Sequence, residues 1–125
     1  GDEAFDILNC KIAEYAYAVI KNKPAFHINM VIDVSPYCDC HSENDLPIVP
    51  DIGMFASFDP VALDQACADA VNHSPCMPGS VLEERQKTNP DHFTSTHPDT
   101  NWEICLEHAV KLHMGMREYE LVTIK

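Results

Sequence analysis

Along residues 4–21, Leu8, Ile12, Tyr15 and Val19 recur at intervals of four, three and four, which places them on one face of a helix. Lys11, Glu14 and Lys21 fall elsewhere on that wheel, and Lys21-Asn22-Lys23-Pro24 ends it, because proline cannot continue a helix. The pattern then changes. His27-Ile28-Asn29-Met30-Val31-Ile32-Asp33-Val34 reads as a strand apolar on both faces, and hence as one buried between layers. Pro36, Pro47 and Pro50, with several Ser, Asn and Asp, make residues 35–51 a loop. A second short apolar run, Ile52-Gly53-Met54-Phe55-Ala56-Ser57, predicts a second strand.

Asp59-Pro60 then starts a helix running to about Asn72: Asp suits the N-cap, and proline suits the first turn, where its missing N–H costs nothing. Pro75, Pro78, Gly79, Pro90 and Pro98 leave residues 73–99 mostly irregular, with a short helix over Val81–Lys87. Thr100-Asn101-Trp102-Glu103 matches a capping box, and Trp102, Leu106, Ala109 and Leu112 give the next helix its apolar stripe. Gly115 is the expected left-handed stop, and Tyr119–Ile124 reads as a closing strand. Helix, strand, strand, helix, helix, strand predicts one α/β domain over residues 1–125. Its sheet is expected to be small and layered, mixed or parallel, with helices packed on it. Parallel pairing is expected between the two central strands, and three strands are few enough to suggest a part of a larger sheet, completed by a partner chain or an oligomer.

Composition narrows the function classes. The chain has 125 residues, enough for one modest core, and no apolar run near the ~20 residues that cross a bilayer. Twenty acidic against eight basic residues give a formal charge of −12, which repels phosphate backbones and argues against nucleic acid as a partner. The same charge suits solubility, or attraction to cations or a basic partner. Cys10, Cys67 and Cys105 lie in helix-like segments as small hydrophobes, and the six cysteines do not form a disulfide framework. The reading is a reduced, cytoplasmic protein.

The candidate chemistry follows the first strand. Sites in open α/β sheets gather beyond strand carboxyl ends, and there this chain places Asp33, Ser35, Cys38, Asp39, Cys40 and His41. Two thiolates and an imidazole suit zinc, and thiolates also suit an iron–sulfur cluster. Cys38 and Cys40 are the expected metal ligands. Asp33 and His41 are helpers, since adjacent residues such as Cys40 and His41 poorly ligate one ion, and Cys76 is a distant fourth donor. A second reading makes Cys38 or Cys40 the redox or nucleophilic thiol of an enzyme, with Asp33 as proton acceptor. A third is a structural half-domain. Asp59 reads as a helix cap, Asp64 as a solvated or capping residue, and Asp51 as a loop-ordering group bonding donors two residues on. The five-residue spacing of His108 and His113 does not put two ligands on one face. No serine has the nucleophile-elbow setting, and no glycine-rich phosphate cradle occurs.

The run Ile32-Asp33-Val34-Ser35-Pro36-Tyr37-Cys38-Asp39-Cys40 resembles a family of uncharacterised bacterial and archaeal iron–sulfur-associated proteins, domain of unknown function 362. The likeness continues through Pro47-Ile48-Val49-Pro50-Asp51-Ile52-Gly53 and Ala56–Ala66, and returns at His97-Pro98, Trp102, Leu106-Glu107 and Met116–Leu121. Members of that family carry a ferredoxin-like insert with four-cysteine cluster motifs ahead of the region similar to this one. No such motif is present here, so the resemblance is to the C-terminal portion alone. It implies an iron–sulfur context, with a ferredoxin-like region or redox partner, and no particular reaction.

Overall fold

The computed structural model describes residues 3–86 and 89–125. Helix α1 (Glu3–Ile20) is followed by β1 (His27–Val31), β2 (Gly53–Ser57), α2 (Pro60–His73), α3 (Val81–Arg85), α4 (His92–Thr96) and α5 (Glu103–Lys111). The fold is α/β, with five helices and a two-stranded sheet among the described residues.

The strands pair antiparallel, with Asn29 opposite Phe55 and Val31 opposite Gly53. The expected parallel pairing is therefore wrong. A parallel return needs a crossover element, and the 53-preceding loop contains none, so the chain simply doubles back. Val34 carbonyl accepts from Ile48 N at 2.9 Å, and Ile48 carbonyl accepts from Met77 N at 2.8 Å, which holds that loop against the sheet. Val49, Ile48, Val31, Val71 and Leu82 make the first core cluster, beneath the inner sheet face and α2. A second, Ala13, Val61, Leu106 and Ala109, joins α1, α2 and α5.

The periodicity of α1 is helical as expected, but its large apolar side chains face outward. Leu8, Ile12, Tyr15 and Val19 are all exposed, Tyr15 to 73 %, and Ala13 is the one buried residue of the helix. The small face, not the bulky one, meets α5. Close helix approach favours Ala13 against Ala109 and Leu106, and leaves the bulky stripe without cover. The outer face of the sheet has the same character: Ile28, Met30 and Met54 are exposed, as are Phe26 and Phe58, whose rings meet at a tilt of 60° with centroids 4.9 Å apart. β1 is thus covered on one face only, against the expectation of burial between two layers.

Asp59 caps α2 as expected, accepting from Val61 N and Ala62 N through Oδ1 at 2.9 and 3.0 Å. Its Oδ2 also accepts from Met116 N at 2.9 Å, which ties the segment after α5 to the start of α2. That contact explains Gly115. The residue is not the left-handed stop of α5; His113, at φ 62°, is. Gly115 is small because a Cβ there would overlap the Asp59 carboxylate. Gly115→Ala is expected to lower stability by about 1–3 kcal/mol in urea unfolding, through overpacking and a displaced cap.

Two further expectations fail. The capping box does not form: Asn101 Oδ1 accepts from Glu103 N at 3.1 Å, while Glu103 itself reaches Arg117 at 2.6 Å. Arg117 outcompetes the backbone donor because an ion pair is open to that carboxylate. Tyr119–Ile124 is not a strand, and Leu121, Val122 and Ile124 are exposed, since no strand edge lies beside them among the described residues. Tyr119 instead anchors the segment by donating its hydroxyl to Asp69 Oδ2 at 2.6 Å, and that bond pushes the phenol pKa up to about 12. The expected helix over 81–87 ends at Arg85 as described, with Lys87 outside the described residues. Helix α4 falls in a stretch read as irregular, capped by Asp91.

Candidate functional site

Cys38, Asp39 and Cys40 lie on an exposed turn closed by His41 N donating to Cys38 carbonyl at 2.9 Å. The turn sets the two thiols near enough for each to affect the other's protonation. Cys38 carries a lowered pKa because the Cys40 backbone N–H, and then the Cys40 thiol, donate to its sulfur. Cys40 moves the other way, since its thiol donates to Cys38 and the neighbouring negative charge disfavours a second thiolate. Cys38 therefore gives up its proton before Cys40.

The surrounding loop is ordered by its polar side chains. Asn44 accepts from Tyr37 N at 3.3 Å and returns Nδ2 to Tyr37 carbonyl at 3.1 Å, and Ser35 Oγ donates to the same carbonyl at 2.9 Å. Buried Pro36 offers its carbonyl to His97 Nε2. Tyr37 packs its ring between His41 and His97, at 5.3 and 5.8 Å between centroids. His97 falls in the stretch 73–99 read as irregular, and its placement beside a residue 60 positions earlier had no local signal. The His97-Pro98 segment quoted for the family likeness was the one indication available.

Of the expected helpers, His41 sits on the Tyr37 ring, one residue past the thiol pair. Asp33 occupies a left-handed bend, φ 48°, where its N–H donates to Asp51 Oδ1 at 2.9 Å. Asp51 orders the loop as expected, but across 18 residues and not two. Aspartate tolerates that bend better than most residues, which accounts for its place in the turn after β1. Cys76 is turned toward Met77 carbonyl and Ser80 Oγ, both at 3.6 Å, within the first core cluster. Among the described residues no three His, Cys, Asp or Glu side chains are grouped to hold an ion. The donor set at Cys38 and Cys40 is soft and exposed, and fits half of a thiolate site.

Asp64, read as solvated or capping, is exposed and accepts Asn29 Nδ2 at 2.9 Å from the inner face of β1. Asn29 also points at Cys67 Sγ, 3.6 Å away, and burial pushes the Cys67 thiol up. No helix among the described residues is long and apolar enough to cross a membrane.

A family model described as Domain of unknown function (DUF362) matches residues 2–69, and the chain belongs to that family. The matched span is the N-terminal part of the chain; it contains Cys38-Asp39-Cys40 and the Asp59-Pro60 helix start. The segments of likeness at His97-Pro98 and beyond lie outside it. No curated protein and no solved structure matches the chain.

Proposed function

We propose that this member of the family is a metal- or iron–sulfur-binding module of a redox-associated protein, contributing Cys38 and Cys40 as thiolate ligands. The observation that carries the reading is the placement of two exposed thiols two residues apart on a turn that Asn44 braces, with the Cys38 pKa lowered. A pair held on one short turn loses little freedom on binding a soft cation, and the lowered pKa of Cys38 favours its thiolate. Zinc or a cluster needs four such donors, so the remaining ligands come from a second chain or a ferredoxin-like partner.

A redox-thiol reading is favoured by one feature, the opposite displacement of the two pKa values, which suits an attacking Cys38 and a resolving Cys40. One experiment separates the two. Anaerobically purified chain is reconstituted with zinc, or with iron and sulfide, and metal is counted per chain. The metal reading expects about half an equivalent or more, lost in the Cys38→Ser, Cys40→Ser double variant, and protection of Cys38 from iodoacetamide. Metal uptake unchanged in the double variant sinks it. No uptake, with Cys38 alkylated well ahead of the other thiols, transfers the assignment to the redox reading.

A further inference from the structure

The geometry points to a second site, independent of the thiol pair: a groove along the open edge of β1 that receives an extended, basic, strand-forming segment of a partner protein. Sheet order leaves one edge of β1 without a neighbouring strand among the described residues. Ile28, Asn29, Met30 and Val31 all border a cavity of about 430 Å³. They are consecutive, and their side chains alternate between the exposed and covered sheet faces. A cavity touched by both sets runs beside the backbone and not over one face. Its floor is Val71 of α2 with the Phe93 and Trp102 rings, which pack at 5.5 Å. An added strand would find main-chain partners at the edge and an apolar bed for alternate side chains, the arrangement of β-augmentation.

Charge selects the occupant. Asp64 stands at the wall of this groove with one neutral donor, Asn29, and no cation within ion-pair distance among the described residues. The chain as a whole carries −12. A segment that carries Lys and then Val or Ile two residues apart on its inward face brings a cation to Asp64 and apolar groups to Val71, Phe93 and Trp102, which line the covered side of β1. A basic segment is also drawn to so acidic a chain. The span of β1, His27–Val31, accommodates about five residues of such a segment.

The probe is a labelled, end-blocked peptide Lys-Lys-Val-Lys-Ile-Lys, whose first, third and fifth residues share the inward face, titrated with the full chain by fluorescence anisotropy at two salt concentrations. Its controls are Glu-Glu-Val-Glu-Ile-Glu and the lysine peptide N-methylated at alternate amides. Saturable binding of the first peptide alone is expected, with about fivefold weakening by Asp64→Asn, the equivalent of ~1 kcal/mol for one partly exposed ion pair. Asparagine at 64 keeps an acceptor for Asn29, and circular dichroism checks that the fold is intact. Equal binding of the N-methylated peptide shows mere polycation attraction and overturns the edge; equal binding of the glutamate peptide overturns the charge argument. Absence of binding rejects the site, and self-association of the chain that the lysine peptide does not disrupt assigns the groove to a second copy. None of these outcomes bears on Cys38 and Cys40.

Discussion

Leu82→Ala is expected to lower the unfolding free energy by about 3 kcal/mol and the midpoint of thermal unfolding by on the order of 10 °C. Leu82 is fully buried, at 0 % exposure, and packs in the cluster that contains Val49, Val71 and Val31. It is carried by α3, a helix of five residues too short to be stable alone, so its side chain fastens that helix to the sheet layer. Truncation loses the transfer energy of the removed atoms and leaves a void under β1. The short helix gives the site some ability to collapse, which keeps the figure in the middle of the range known for such changes. Urea unfolding of the two proteins measures it. A loss below about 0.5 kcal/mol would mean that α3 is not fastened through this residue.

Asp91→Ala is expected to cost about 2–4 kcal/mol near neutral pH, through the loss of a helix cap together with donors left without an acceptor. Its carboxylate accepts from Trp102 Nε1 at 2.8 Å, Thr94 Oγ1 at 2.9 Å, Phe93 N at 3.1 Å and Asn72 Nδ2 at 3.3 Å. It therefore ties α4 to α2 and to the start of α5. Partial burial works against the charged form, but the bonds from Trp102, Thr94, Phe93 and Asn72 prevail and hold its pKa below the ordinary 3.8. A carboxyl depressed on folding contributes stability that is fully present above its unfolded value. That contribution fades as pH falls through the folded one. The gap between wild type and Asp91→Ala should thus be constant from pH 7 to about 5 and shrink below about pH 4. A gap unchanged down to pH 3 would show that the carboxylate charge is not what those donors hold.

These two residues differ in how visible they are along the chain. Leu82 follows a serine that caps the helix, Ser80 Oγ accepting from Glu83 N, and a short helix there was legible from that run. Asp91 was not. Pro90 and Pro98 made the whole stretch look irregular, and the Trp102 indole that selects an acceptor at 91 is brought there by tertiary packing alone. The thiol pair sits between these cases. Its spacing marked it as candidate chemistry, while the bracing by Asn44 and by the Tyr37–His97 contact depends on side chains meeting across the loop and across the chain.

Residue order by itself determined what depends on near neighbours. It set the extents of α1 and α2, the presence of the two strands, though β1 ends at Val31 and not at Val34, and the Asp59-Pro60 helix start. In each, a cap, a proline or a periodic pattern acts within a few residues. Only the tertiary structure decided the antiparallel pairing, the burial of Ala13 in place of the bulky stripe of α1, and the role of Gly115 against Asp59. It also decided the strandless Tyr119–Ile124 and the groove beside β1. All of these turn on which surfaces meet, and apolar burial is non-directional: the pattern says that a face is apolar, and packing elsewhere says whether anything covers it.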